Sequence, residues 1–269
     1  MSHFALIGQT LAHSYSKRYF DARFAAEHQP HTYELVELAR IEDVGLEIER
    51  RRLSGFNVTI PYKQQIMPLL SGISQEAREI GAVNVVALQG HQLVGFNTDA
   101  PAFLQTLKPH LRSYHTAALV LGTGGASRAV AYALRQLGIR YTLVSRAPRE
   151  TDQIDYDEAN RRIKHTPILI NATPAGTYPH VDEMPPIDTS LIGRGHLVYD
   201  LIYNPSPSRL LSEARHQGAD IIDGLGMLHR QADLSFEIWE QYLHKKLPTD
   251  SNISPLIEKK DVSLQNQRF

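Results

Sequence analysis

The sequence predicts an α/β protein of two units, a mixed α/β unit followed by a doubly wound one, with a cleft between them. Three observations carry this. Short β-rich runs alternate with helix-like stretches from the first residues onward, which argues for βαβ units and largely parallel sheets. The apolar run Ala117 to Leu121 leads directly into a glycine turn and an amphipathic stretch, so a second series starts afresh there. No fixed period relates the two halves, which argues against a repeat architecture.

In the first unit, residues 4–8, 32–38 and 56–60 read as strands, and residues 16–28 and 41–53 as helices. Two short helical segments fall within residues 64–80. Runs 83–88 and 93–96 flank Gln89-Gly90-His91-Gln92, a hairpin that adds antiparallel strands to the sheet. The unit is expected to span residues 1–101. The second series opens with a helix at 102–110, then the strand at 117–121, a helix at 127–137 and a strand at 141–144. Further strands are expected at 167–171, 197–201 and 219–222, and a helix at 208–216 stops at Gly218. This alternation is the doubly wound pattern and assigns residues 102–226 to the second unit. A last helix runs from Met227 to about residue 246, and the polar residues beyond it, 251–269 above all, read as a weakly ordered tail.

Composition narrows the function classes. With 269 residues, 42% of them apolar and 21% charged, the chain can bury ordinary cores. Lys and Arg number 28 against 29 Asp and Glu, so no basic excess invites nucleic acid or an anionic membrane. There are no cysteines, which excludes disulfides, thiolate nucleophiles and thiolate metal sites, and fits a reducing, cytoplasmic setting. The thirteen histidines are scattered without a ligand spacing, so no metal is expected. Neither a secretory segment nor a membrane span is signalled.

Gly122-Thr123-Gly124-Gly125-Ala126-Ser127 follows an apolar strand and opens a helix, where backbone N–H groups can hold a pyrophosphate. Gly122, Gly124, Gly125 and Ala126 are therefore cofactor candidates, and the second unit reads as a Rossmann-type dinucleotide-binding domain. Ser127 takes the third glycine's place, and the competing reading is a plain strand-to-helix turn. About 20 residues on, where an NAD enzyme presents an acidic group, this chain has Ser145 and Arg146, with Arg149 nearby. A hydroxyl and a guanidinium suit a 2′-phosphate, so NADP is favoured over NAD.

The first unit holds a polar set. Asn57-Val58-Thr59-Ile60-Pro61-Tyr62-Lys63 brings Thr59 and Lys63 to the carboxyl end of a strand, where α/β sheets place ligand groups. Lys63 can exchange a proton or stay charged and polarise a carbonyl; the alternative is an exposed lysine at a helix start. Asp99, in Asn97-Thr98-Asp99, sits where the units meet and can pair with Lys63, or else cap the following helix. Ser14 and Ser16, in His13-Ser14-Tyr15-Ser16, can hold a carboxylate at a helix start, and Ser16 suits the N-cap.

Taken in order with Gly81-Ala82-Val83-Asn84, Asn171-Ala172-Thr173, Tyr199-Asp200-Leu201-Ile202-Tyr203-Asn204-Pro205 and Gly224-Leu225-Gly226-Met227-Leu228 with Gln231-Ala232, these segments resemble shikimate dehydrogenases over residues 4–242. The resemblance implies an NADP-dependent oxidoreductase that interconverts 3-dehydroshikimate and shikimate on the chorismate route of aromatic amino-acid biosynthesis. It implies Lys63 and Asp99 as the catalytic pair, and Ser14, Ser16, Thr59, Asn84, Tyr203 and Gln231 as substrate ligands. Thr173 and Gly224 would join the glycine turn, Ser145 and Arg146 around the cofactor. The last helix, residues 227–250, would return to complete the substrate domain, and the protein would be a monomer or homodimer without nucleic-acid or membrane partners.

Four positions depart from the family pattern: Lys17 for a proline, Val85 for a threonine, Ala102 for a glycine and Ser145 for an asparagine. Lys17 would add a cation near the carboxylate site. Rival readings are a quinate/shikimate dehydrogenase that accepts NAD, a non-catalytic metabolite-binding relative, and a folate-linked methylene dehydrogenase.

Overall fold

The computed structural model describes residues 1–244. The end of the expected last helix and the 251–269 tail lie outside the described residues. The first sheet comprises β1 (His3–Gly8), β2 (Thr32–Glu37), β3 (Leu53–Val58), β4 (Gly72–Ile73), β5 (Val85–Gln89) and β6 (Gln92–Phe96), in the order β2-β1-β3-β5-β6-β4. β1 pairs in parallel with β2 and β3, and the β5–β6 hairpin joins antiparallel through β5. Its helices are α1 (Ser16–Ala26), α2 (Val44–Arg51), α3 (Tyr62–Gln65) and α4 (Gln75–Ile80).

Helix α5 (Asp99–Leu107) leads into the second sheet, β7 (Ala117–Leu121), β8 (Arg140–Val144), β9 (Gln153–Ile154), β10 (Ile168–Asn171), β11 (Leu197–Asp200) and β12 (Asp220–Ile222). All its pairings are parallel, in the order β12-β11-β10-β7-β8-β9. Strand order reverses between β7 and β10, and a ligand crevice opens at the carboxyl ends of such a pair. The connecting helices are α6 (Gly125–Gln136), α7 (Tyr156–Arg162) and α8 (Arg209–His216), and α9 (Leu225–His244) closes the described chain.

Each sheet is buried on both faces. Phe56, Val58, Tyr62 and Ile66 pack on one face of the first sheet, and Phe4, Phe20, Phe24 and Trp239 on the other. The second sheet is covered by α5, α6 and α9 through Phe103, Val130, Leu134 and Met227, and opposite them by Ile163, Leu210 and Leu211. Helix α9 belongs to both cores: Met227 and Leu234 face the second sheet, while Ala232, Phe236 and Trp239 enter the first. Trp239 stacks on Phe4 at 4.4 Å and donates from Nε1 to the Val86 carbonyl at 3.0 Å.

Three local differences from the expected elements have physical causes. Helix α5 starts at Asp99 rather than 102, because Pro101 sits in the first turn, where its missing N–H removes no helical bond. Residues 101 and 102 are therefore consecutive inside a helix, and the two units are joined by α5 itself. Strands β4 and β9 have two residues each, too few to show a period. Helix α7 was legible in principle: Asp155 accepts from Glu158 N at 2.8 Å, and Asp155 followed three residues later by Glu158 matches a capping-box spacing.

Candidate active site

The carboxyl end of β3, the loop after β1, the start of α5 and the head of α9 converge on a cleft of about 500 Å³. It is bordered by Ser14, Ser16, Thr59, Lys63, Asn84, Asp99 and Gln231, and by Ala126, Tyr203 and Gly224 from the second unit. The structure thus brings together all the substrate-side residues named from the sequence.

Lys63 is placed from both ends. Its carbonyl accepts from Val83 N at 2.8 Å, and the neighbouring Tyr62 hydroxyl donates to the Leu38 carbonyl at 2.6 Å. At the other end Lys63 Nζ donates to Asp99 Oδ2 at 2.6 Å, with side-chain exposures of 16% and 8%. A charge pair this shielded is held far more firmly than a surface one. Asp99 Oδ1 accepts from Asn84 Nδ2 at 2.9 Å, and Asn84 Oδ1 accepts from Thr98 N at 2.7 Å.

Asp99 is not the N-cap: it is the first residue of α5, Thr98 holds the cap position, Asn97 Oδ1 accepts from the first-turn Ala100 N at 3.1 Å, and the Asp99 carboxylate is left for Lys63. Behind them, Asn57 Nδ2 donates to the Asn84 carbonyl and to Ser235 Oγ, and Ser235 Oγ donates to the Gln231 carbonyl. Asn57, Thr98 and Ser235 were not singled out from the sequence. Asn57 and Thr98 stand within quoted motifs and Ser235 one helical turn after Gln231, but only the fold shows that the side chains meet.

Two expectations around α1 change. Ser16 is not the N-cap; the helix begins at Ser16, and Ser14 Oγ accepts from Ser16 N at 3.3 Å. Lys17 does not add a free cation to the site, because its Nζ donates to both Asp21 oxygens, at 2.8 and 3.1 Å, and to the Tyr33 carbonyl at 2.9 Å. Tyr203 lines the cleft with its hydroxyl pKa pushed up by burial, and its ring lies 6.2 Å from that of Tyr15.

The cofactor-side residues divide in two. Gly122 and Gly124 lie between β7 and α6 and Gly125 opens α6, with Thr173 beside the turn: a Cβ on Gly122 would stand 3.2 Å from Thr173 Cγ2. Gly122 has φ +107°, which favours glycine. The first turn of α6 carries no acidic residue, and a Cβ on Gly124 would meet nothing within 4 Å. An open, unopposed helix start of twelve residues fits the phosphates of a dinucleotide. Ser127 Oγ, fully buried beneath the turn, has no partner among the described residues. Ser145 and Arg146 stand apart, at the end of β8; Ser145 Oγ accepts from Ala147 N at 3.2 Å, and the exposed Arg146 is free to meet a phosphate.

A buried carboxylate supports the second unit's rim. Asp200 Oδ1 accepts from Asn171 Nδ2 and Ile202 N, at 2.9 and 3.0 Å, and Asp200 Oδ2 accepts from Ser208 Oγ at 2.6 Å. Asn171 Oδ1 in turn accepts from Thr173 N and Oγ1. Burial pushes Asp200 up to about 6, against the lowering effect of those hydrogen bonds. A carboxyl raised by folding adds stability at low pH and loses it as pH climbs from about 4 through about 6. Urea unfolding of Asp200→Asn beside the parent protein is therefore expected to show the variant gaining, relative to the parent, on the order of 2–3 kcal/mol between about pH 4 and pH 7. A difference that stays constant with pH would contradict this.

Among the described residues no group of three or more His, Asp or Glu could hold a metal ion, and no helix is long and apolar enough to cross a membrane.

Comparison with known proteins follows the same lines. The family model for the shikimate dehydrogenase substrate binding domain matches residues 6–86. The Carboxydothermus hydrogenoformans shikimate dehydrogenase (NADP(+)) is 33% identical over 251 residues, covering 87% of this chain and 90% of its own. The Thermus thermophilus shikimate 5-dehydrogenase, solved in complex with NADP(H) and shikimate, superposes with a TM-score of 0.79 at 33% identity, over 90% of this chain and 94% of that one. The quinate dehydrogenase of Corynebacterium glutamicum, solved with NAD, reaches the same TM-score at 26% identity, over 89% and 94%.

Proposed function

The chain belongs to the shikimate dehydrogenase family, and from that premise we propose that it is an NADP-dependent oxidoreductase interconverting 3-dehydroshikimate and shikimate. The observation that carries the reading is the shielded Lys63–Asp99 pair at 2.6 Å, set where the polar substrate-side residues and the second unit face each other. A metabolite-binding relative without catalysis would need the pocket but not this pair.

NADPH, when bound, would supply the hydride that reduces the ring ketone, leaving as NADP. Lys63 Nζ donates a proton to the ketone oxygen as the alcohol forms and takes one back in the reverse direction, while Asp99 fixes the ammonium and offsets its charge. Asn84 holds Asp99 in register. Ser14 and Ser16 receive the substrate carboxylate at the head of α1, and Thr59, Asn84, Tyr203 and Gln231 bind the remaining ring oxygens. Gly122, Gly124, Gly125, Ala126, Thr173 and Gly224 border the cofactor, and Ser145 and Arg146 bind its 2′-phosphate.

In this reading residues 1–101 with the last helix from residue 227 form the substrate domain and residues 102–226 the cofactor domain. The cysteine-free composition suits the reducing cytoplasm, where the protein acts as a monomer or homodimer on a small-molecule substrate without nucleic-acid or membrane partners.

Steady-state kinetics of Ser14→Ala and Ser16→Ala test the substrate assignment. Each lost hydrogen bond to a carboxylate should raise KM for 3-dehydroshikimate about tenfold or more, with kcat nearly unchanged. An unaltered KM in both variants would remove the carboxylate reading, and efficient oxidation of quinate with NAD by the parent protein would move the assignment to the quinate branch.

A further inference from the structure

The glycine turn touches the lysine. A Cβ built on Gly125 would lie 3.3 Å from both Cβ and Cδ of Lys63, and 3.8 Å from Cβ of Ala82. The neighbouring Gly124 has nothing within 4 Å. Gly125 is the first residue of α6, and its φ lies outside the left-handed range in which the structure places Gly122, so its backbone would accept an alanine. What crowds a side chain at 125 is the Lys63 stem, which would have to give by a few tenths of an ångström.

That stem has little room to yield. Its backbone is tied by Val83 N to the Lys63 carbonyl, and its Nζ is tied to Asp99. The two units meet around it through small side chains, Ala82, Ala100 and Ala129, which let α5 and α6 approach closely. A methyl group at 125 is therefore relieved in one of two ways, a small displacement of the lysine stem relative to Asp99 or a small retreat of the head of α6.

We propose that Gly125 is a positioning residue for Lys63, the bare wall along which the lysine stem lies. The backbone that borders the cofactor would thereby also set the reach of Nζ. The inference rests on the reading of Lys63 as the proton donor. It gives position 125 a task separate from phosphate binding: a cofactor seated on the turn and a lysine aligned for transfer are parts of one packed contact across the cleft.

The test compares Gly125→Ala with Gly124→Ala in steady-state kinetics with NADPH varied at saturating 3-dehydroshikimate, across pH. Misplacing a reacting group by a fraction of an ångström is expected to lower kcat of Gly125→Ala by about tenfold or more, with an altered pH profile. Gly124→Ala should act chiefly on KM for NADPH. A Gly125→Ala enzyme that changes only KM for NADPH, with the parent's kcat and pH profile, overturns the proposal.

A second arm needs no activity. Thermal unfolding of Gly125→Ala, Lys63→Ala and the double variant should show the methyl group costing less once the lysine stem is gone, and strictly additive losses overturn the contact. If Gly125→Ala alone does not fold, rescue by Lys63→Ala is the same coupling in stronger form, and failure of both variants to fold overturns it. A parent protein without reductase activity would remove the functional reading, while the unfolding cycle would still decide the contact.

Discussion

Lys63→Ala is expected to lower kcat by about 10²–10⁴-fold, the range that a positioned proton donor supplies, while KM for 3-dehydroshikimate changes little. The split follows from the geometry. The substrate's carboxylate and hydroxyls are assigned to Ser14, Ser16, Thr59 and Gln231, so binding does not depend on the lysine, whereas the developing charge on the ketone oxygen does. Lys63→Arg should remain slow as well, because a planar guanidinium cannot occupy the point that Nζ shares with Asp99 Oδ2 at 2.6 Å. Steady-state rates, with circular dichroism to verify the fold, decide the matter. Turnover near the parent's value in Lys63→Ala would end the mechanism proposed for this pair.

Arg146→Ala should reduce the preference for NADPH over NADH, measured as the ratio of kcat/KM values, by about 10–100-fold. A charge-assisted hydrogen bond to a phosphate is worth roughly 1.5–3 kcal/mol, and only NADPH carries that phosphate. The loss should fall on NADPH alone, through KM, since Arg146 lies at the end of β8, away from the Lys63–Asp99 pair. Arg149, three residues on, can hold part of the preference, so the double substitution should go further than the single one. An unchanged ratio in the double variant would show that the 2′-phosphate is recognised elsewhere.

The parts of this molecule that were legible in the sequence are those where a local rule and the tertiary structure agree. Ala117–Leu121 is apolar throughout because β7 is buried on both faces, and the glycine turn announces itself because Gly122 needs a left-handed φ. Lys63 and Asp99 could be named because each follows a strand end, but not that Nζ and Oδ2 would stand 2.6 Å apart, since 36 residues separate them in the chain. The Asn97–Ala100 bond was hidden for a related reason: Asn97, Thr98 and Asp99 all suit a helix start, and only the Lys63 and Asn84 contacts show that the Asp99 carboxylate is otherwise engaged. Lys17, set against the family's proline, reads as an added cation near the carboxylate site, and Asp21, one helical turn on, pairs with it. The joining of Asn57 to Ser235 and of Asp200 to Asn171 carries no local signal, because 178 and 29 residues separate the partners.

The central claim is that this cleft reduces a ring ketone with NADPH through Lys63. The most direct measurement follows absorbance at the nicotinamide band after purified protein is added to 3-dehydroshikimate, with NADPH, with NADH, and with NADPH and Lys63→Ala in parallel. The account predicts rapid loss of the NADPH signal, a slower loss with NADH and almost none with the variant. No loss with either cofactor from correctly folded parent protein, or equal rates with and without Lys63, would contradict it.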